Sequence, residues 1–271
     1  MSRIHPLAHV HPKAQIGDNC EIGPFAVIDE QVVLGPENLV ANNVTITGAT
    51  TIGSQNAFYP YTVIGTPPQD VGYKGENTRV VIGSRNTFRE MITVNRATTK
   101  QNHVTLVGDG NYFMAYCHIA HDCEIGSNIV MANSINLGGH VKVEDYAWFG
   151  GVVAVHHFAT IGAYAFVAGF NRIIHDCPPF LITDGPPAHP RGVNVRGLRR
   201  RGLREEQIAA LENAFRLLYR SNLALSSALS RLEAELDKQT AEVKYLISFL
   251  RRTEAGRDGR ALEVLRASWK R

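Results

Sequence analysis

Five imidazoles, His118, His121, His140, His156 and His157, crowd one stretch of the chain, and seven of its 11 histidines fall between His103 and His175. Two chemistries compete for such a cluster. Several imidazoles together can hold zinc. Alternatively, one neutral imidazole removes a proton from a nucleophile while a carboxylate holds its other nitrogen, a role worth about 10²–10⁴ in rate. His121 followed directly by Asp122 suits the second chemistry. In acyl transfer the base also needs a donor for the developing oxyanion. A glycine N–H serves well because no side chain blocks close approach, and Gly138-Gly139 is the candidate. A polar seam between subunits is the third reading.

Such residues must be brought together by the fold, and a six-residue period shows how. Aliphatic or aromatic residues recur at Ile4, Val10, Ile16, Ile22, Ile28, Leu34, Val40, Ile46, Ile52, Phe58 and Ile64, and again from Val107 through Ile119, Ile125, Leu137 and Val155 to Val167. Glycine often follows, as in Ile16-Gly17, Ile52-Gly53, Ile82-Gly83 and Ile125-Gly126. This is the signature of a parallel β-helix with one short strand and turn per hexad. The glycines are expected at corners, in conformations that a Cβ would resist. The fourth residue after each aliphatic position (Cys20, Ala26, Val32, Val44, Thr50, Thr62, Cys117, Cys123) also faces inward. Three hexads close a coil, so residues three hexads apart stack at about 4.8 Å, the inter-strand spacing. That stacking puts Gly139 beside His121, with His157 one coil further, and Asp122 beside His140. His121 and Gly139, each two residues past an aliphatic position, point away from the prism interior.

The 271 residues are 44% hydrophobic and 20% charged, an ordinary balance for one or two domains. No apolar run is long enough to cross a membrane and no signal-like N-terminal segment is present, so a cytoplasmic location is expected. Cys20, Cys117 and Cys123 sit at inward positions, Cys177 lies beyond the array, and no CxxC spacing exists; reduced core thiols are expected. The net charge is only +3, yet Arg196, Arg199, Arg200, Arg201 and Arg204 crowd the junction after the repeats, with Arg216, Arg220, Arg251 and Arg252 following. The choice lies between a solvated helical surface and a surface for an acidic partner. Nucleic acid is not indicated, because aromatic residues do not interleave with the basic run.

The repeats break at Thr66 to Val81 and around Thr98 to Leu106. Insertions on solenoids often mark the binding face, so the segment from Thr66 to Glu76 is a candidate site loop. After Val167 the pattern fades through Pro178-Pro179 and Pro186-Pro187, which read as a linker. Helical spacing follows at 203–219, 223–236, 241–250 and from Arg260 to Trp269. The expected domains are 1–192 and 193–271.

The stretch His118-Ile119-Ala120-His121-Asp122-Cys123, taken with Gly138-Gly139-His140-Val141, Ala154-Val155-His156-His157-Phe158, Gly192-Val193-Asn194 and Arg199-Arg200-Arg201-Gly202, closely resembles the acyl-ACP:UDP-N-acetylglucosamine O-acyltransferases. Gln69-Asp70 with Tyr73, Gly75 and Glu76 matches as well, and the resemblance covers essentially the whole chain. It implies a mainly β fold, a left-handed parallel β-helix with a C-terminal α-helical domain, assembled as a homotrimer with active sites between neighbours. It implies transfer of a 3-hydroxyacyl chain from acyl carrier protein to the glucosamine 3-hydroxyl of UDP-N-acetylglucosamine, opening lipid A synthesis, with no cofactor or metal.

Carried over by position, His121 is the general base, Asp122 its orienting partner and Gly139 the oxyanion donor. Gln69 and Asp70 belong to the sugar loop, where Asp70 holds the sugar. His118, His140, His156 and His157 line the cleft, and Asn194, Arg200 and Arg201 meet the nucleotide. Gly169 matches the position whose size limits the acyl chain, so a relatively long chain is expected, with Phe166 nearby able to shorten it. Three departures stand out. Gly72 replaces a lysine, with Lys74 two residues further on; His157 replaces a glutamine; and Arg196 replaces a glutamate. A 3-amino-3-deoxy UDP-sugar giving an amide is therefore the alternative substrate. The rivals fit less well: the later N-acyltransferase of the pathway carries an extra N-terminal domain before its repeats, a γ-class metal lyase spaces its histidines HxxxxH, and a scaffold predicts no coherent histidine chemistry.

Overall fold

The structure, a computed structural model, describes residues 1–268; Trp269, the end of the last expected helical segment, lies outside the described residues. Each hexad contributes a strand of two to four residues, and from Glu21–Ile22 to Arg172–Ile173 each strand pairs in parallel with the third one before it. The described strands thereby sort into sheets of eleven, nine and eight strands. The first runs from Arg3–Ile4 to His189–Val193, the second from His9–Val10 to Arg172–Ile173, and the third from Gln15–Ile16 to Thr160–Ile161. The chain visits the three in turn, which makes a three-sided solenoid.

Register follows the hexads. Ile4 pairs with Ile22, Val10 with Ile28 and Ile16 with Leu34. Across the breaks the offset lengthens, so that Ile52 pairs with Ile82 and Ile82 with Val107. Both insertions leave after a second-sheet strand (Val63–Thr66, Thr93–Asn95) and rejoin at a third-sheet strand (Arg79–Ile82, Val104–Val107). They therefore emerge at one and the same corner, in adjacent coils.

The periodic side chains fill the prism. Ile22 through Val167 at the aliphatic positions are buried, and so are all eight residues named at the second inward position. Each fully buried aliphatic side chain contributes roughly 1.5–3 kcal/mol. Phe58, Phe88 and Phe113 stack down the axis with ring centroids 5.0 and 5.1 Å apart. A polar ladder runs beside them, unread in the sequence. Asn38, Asn56, Asn86 and Asn111 are buried at inward positions, and each Oδ1 accepts from the backbone N–H of the residue one coil on. Such a ladder is tolerated in a core because its members satisfy one another. The cysteines are free and buried, and burial pushes the Cys117 thiol up to about 11 and those of Cys123 and Cys177 to about 12, which keeps them inert.

The expected reason for the glycines needs correction. A Cβ at Gly17 or Gly53 would lie 2.5 Å from atoms of the next coil, so these glycines are there for close approach between coils. The left-handed backbone falls two residues later, on ordinary side chains such as Phe25, Tyr61, Asp122, His140 and Phe158, with φ between 59° and 64°. Such a conformation costs roughly 1–2 kcal/mol per residue, offset here by stacking of identical turns.

The expected linker is also corrected. The coil continues past Val167 through Arg172–Ile173 and a bridge from Ile161 to Cys177. Leu181–Asp184 then extends the first sheet, and His189–Val193 returns antiparallel against it, so Pro186-Pro187 lie in a hairpin turn. Helices follow: α1 (Val195–Arg200), α2 (Glu205–Tyr219), α3 (Leu225–Glu233) and α4 (Ala241–Ala255), with short 3₁₀ turns at Leu236–Lys238 and Ala261–Ser268. Their core joins Leu211, Phe215, Leu229 and Leu246 to Phe180, Leu181 and Val193 of the hairpin region. Tyr245 of α4 donates to Glu144 at 2.5 Å, and the buried Asp176 carboxylate accepts from Thr160, Thr253 and Ala261.

Candidate active site

At the corner between the second and third sheets, Asp122 and His140 occupy stacked left-handed turns beneath the second insertion, which covers both side chains; they are 2% and 4% exposed. His121 and Gly139 precede them and face outward at the same level. His121 Nδ1 lies 2.8 Å from Asp122 Oδ2. That oxygen already accepts from the Thr98 N–H at 3.0 Å and the Thr98 hydroxyl at 2.7 Å. It acts as an acceptor throughout, so Nδ1 of His121 carries the proton and Nε2 presents its lone pair. The Asp122 N–H in turn donates to Thr105.

Gly139 fits against the His121 ring as the stacking argument requires. A Cβ there would stand 2.5 Å from His121 Cε1 and 2.7 Å from Nε2, so only glycine lets this backbone pass the imidazole. Among the described residues its N–H has no hydrogen-bond partner. A basic nitrogen and an open N–H on one spot are what proton removal with oxyanion stabilisation needs.

His140 stacks on Phe158 at 4.7 Å, with Nδ1 2.8 Å from Gln101 Oε1. Burial pushes its pKa down to about 4 against the opposing pull of Asp122, so it is a neutral ring at neutral pH. His118 faces Thr93 Oγ1 at 2.7 Å, and burial lowers its pKa as well. Asp70 reaches the same corner from the first insertion. Its Oδ2 pairs with Lys100 Nζ at 2.5 Å and its Oδ1 accepts from the Gly72 N–H at 2.7 Å. The ammonium holds the carboxyl below its usual range. Gln69 is exposed on the same loop.

His156 and His157 lie one coil further, rings 3.8 Å apart, and Nε2 of His157 is 3.5 Å from Arg266. Burial lowers the pKa of His157. By distance these two with Glu263, or His121, Asp122 and His140, could meet a metal ion. The carboxylates are otherwise engaged: Glu263 binds Arg260 and Arg266, and Asp122 holds Thr98 and His121.

The arginines gather elsewhere. At the corner between the third and first sheets, Tyr146, Trp148, Tyr164 and Phe166 wall a pocket of about 360 Å³ shared with Asn194, Arg196, Arg200 and Arg201. Arg200 lies over Trp148 at 4.2 Å and Arg201 over Tyr146 at 5.0 Å. Asn194 caps α1, accepting from the Gly197 N–H at 3.2 Å and donating to Tyr164 O at 3.0 Å. Arg199 and Arg251 are paired with Glu205 and with Glu233 and Glu254, so part of the basic run is neutralised. Gly169 sits at the third corner, where a Cβ would meet Gly151 O at 2.9 Å.

One protomer thus unites His118, His121, Asp122, Gly139, His140 and Asp70, and separates them from the arginine pocket and from Gly169. Sequence reasoning missed Thr98, Lys100 and Gln101, although it marked the break that contains them. It also missed the aromatic walls, whose signal was Tyr146 and Tyr164 in equivalent positions of successive coils.

A six-residue-repeat solenoid with a carboxylate-held imidazole beside an open glycine N–H is the build of a hexapeptide-repeat acyltransferase. Residues 1–30 match the family described as bacterial transferase hexapeptide (six repeats), and residues 176–259 match the one described as UDP N-acetylglucosamine O-acyltransferase, domain 2. The chain is 43% identical over 246 residues to an acyl-[acyl-carrier-protein]–UDP-N-acetylglucosamine O-acyltransferase of Herminiimonas arsenicoxydans, covering 91% of this chain and 94% of that protein. To the protein of the same name from Thermodesulfovibrio yellowstonii it is 44% identical over 256 residues, covering 94% and 99%. It superposes on LpxA, a UDP-N-acetylglucosamine acyltransferase from Bacteroides fragilis, with a TM-score of 0.89 at 40% identity, covering 92% and 96% of the two chains. The chain belongs to the acyl-[acyl-carrier-protein]–UDP-N-acetylglucosamine O-acyltransferase family, and it is an acyltransferase.

Proposed function

We infer that the protein moves a 3-hydroxyacyl chain from acyl carrier protein to the 3-hydroxyl of UDP-N-acetylglucosamine, the first step of lipid A synthesis. The observation that carries this reading is the His121–Asp122 pair, with Nε2 free to accept a proton against the Gly139 backbone. His121 Nε2 takes the proton from the sugar O3, which attacks the thioester carbonyl. The oxyanion that forms is met by the Gly139 N–H. Collapse breaks the C–S bond, and the departing thiolate recovers the proton from His121. Asp122 orients the base and stabilises the imidazolium. Asp70, with Gln69 beside it, holds the sugar; His118, His140, His156 and His157 line the cleft; and Asn194, Arg200 and Arg201 take the nucleotide, the guanidiniums supplying charge for the diphosphate. Gly169 leaves room for the acyl chain.

The solenoid is read as a left-handed parallel β-helix, 1–192, followed by a helical unit, 193–271, in a cytoplasmic homotrimer. Two features support the trimer. The histidine corner and the arginine pocket lie on different corners of one chain, so a complete cleft calls for a neighbour. Phe25, Tyr61, Met91, Tyr116, Val152 and Phe170 also stand exposed along the corner between the first and second sheets, an apolar stripe suited to burial between copies. The arginines left unpaired on the helical unit would steer an acidic carrier protein. None of the described helices is long and apolar enough to cross a membrane.

The test is transfer from acyl carrier protein to UDP-N-acetylglucosamine and to its 3-amino analogue, read by mass spectrometry across acyl lengths. An ester on the first substrate, lost in His121→Ala, is the expected result. An amide on the analogue alone would reassign the substrate, and full activity in His121→Ala would remove the base assignment.

A further inference from the structure

We propose that Lys100 is a positioning residue of the transfer site, its ammonium fixing the Asp70 carboxylate in the orientation that receives the sugar. The inference rests on the acyl-transfer reading above and adds a residue to it.

The two insertions are laced together at their shared corner. Asn95 donates to Thr66 Oγ1 at 2.8 Å and to Pro67 O at 3.1 Å, and Arg96 donates to Gly65 O and to the Tyr73 hydroxyl, each at 3.0 Å. Within the second insertion, three side chains in a short run reach three different site groups. Thr98 binds Asp122, Lys100 binds Asp70 and Gln101 meets His140. The segment braces the base, its carboxylate and the sugar loop at once, and Lys100 is the cation that it sends to the Asp70 carboxylate.

The chemistry of Asp70 shows why the ammonium matters. Among the described residues each of its oxygens has one partner, Lys100 on Oδ2 and the Gly72 N–H on Oδ1. An ionised carboxylate offers about four lone-pair positions, so roughly two remain for sugar hydroxyl donors. Removing the ammonium would leave the group tied on one side only and free to rotate. The pair is partly withdrawn from solvent, with side-chain exposures of 12% for Asp70 and 37% for Lys100, so the attraction is only partly screened.

Gly72 makes room for this arrangement. A Cβ at 72 would stand 3.1 Å from Asp70 Oδ1 and 3.9 Å from Lys100 Nζ, so a side chain there would grow toward the place the Lys100 ammonium occupies. Gly72 does not have the positive φ that would strain another residue. One cation is thus served from the second insertion where the first supplies no side chain, and a lysine at 72 should deliver the same charge to the same carboxylate.

The experiment compares Lys100→Met, Lys100→Arg and the double variant Gly72→Lys/Lys100→Met with the full-length wild type, by steady-state transfer from acyl carrier protein and by calorimetric binding of UDP-N-acetylglucosamine. Lys100→Met should raise KM and Kd for the nucleotide sugar at least tenfold with a smaller fall in kcat and an unchanged melting temperature. Lys100→Arg should stay within a few-fold of wild type, and the double variant should recover most of the lost affinity. Wild-type KM and Kd in Lys100→Met overturn the proposal, as does a loss matched by a fall in melting temperature or left unrepaired by Gly72→Lys. A wild-type protein that transfers nothing to UDP-N-acetylglucosamine would instead sink the functional reading, and the calorimetric comparison would still judge Lys100.

Discussion

The histidine corner and the arginine pocket are built from the same repeat and solve opposite problems. At the first, the second insertion covers Asp122 and His140 on their left-handed turns and hydrogen-bonds to both. At the second, Arg200 and Arg201 lie on the aromatic faces of Trp148 and Tyr146 around an open pocket. Buried polar groups lose heavily when a partner is removed, whereas stacked cations at a surface lose about 0.5–2 kcal/mol each. On the acyl-transfer reading proposed above, chemistry that needs a fixed proton position sits in the first setting, and recognition of a charged ligand sits in the second.

That contrast can be broken by substitution. His121→Ala should cost about 10²–10⁴ in kcat, with the oligomeric state by light scattering and the circular dichroism spectrum unchanged. Gly139→Ala forces a methyl onto the imidazole at 2.5 Å and should lower kcat about 10²-fold with little effect on the KM for nucleotide sugar. If Gly139→Ala acts mainly on KM, the two corners are not divided as described. Arg200→Ala or Trp148→Ala should do the reverse, raising that KM about tenfold while kcat holds, as loss of 1–2 kcal/mol of cation–π and charge contact would.

The smallest effect is on stability. His140 is held near pKa 4 when folded, against an ordinary value of 6.5, by burial that outweighs Asp122 and is assisted by the neighbouring His121, Lys100 and His157 charges. The unfolded chain therefore binds the extra proton first as pH falls, and the stabilisation, complete above pH 6.5, is lost between 6.5 and 4. His140→Phe, which keeps the stack on Phe158, should flatten the fall in melting temperature across that window, as measured by calorimetry.

Much of the scaffold was legible because a solenoid repeats its local rules. Each hexad meets only its neighbours, so a one-dimensional pattern is enough to assign Ile119, Cys123 and Leu137 to the interior and to stack Gly139 beside His121. Legibility fell where the repeat lapses. The Pro186-Pro187 hairpin returns antiparallel, which six-residue counting does not anticipate. The corner glycines looked conformational and proved steric, because the next coil that crowds them is invisible in a local window. The buried asparagine ladder went unread because a polar residue at an inward position is favourable only when its partners stack above and below it.

By itself, the sequence determined the period, the inward-facing set and the pairing of His121 with Asp122, since these depend on residues adjacent in the chain or separated by one coil. Tertiary structure alone decided which groups complete the site. Asp70 and Lys100 are 30 residues apart, and Gln101 and His140 are 39 apart. They meet because two insertions of different length leave the solenoid at the same corner. No spacing rule connects irregular segments, so their contacts are settled only when the coils beneath them are stacked.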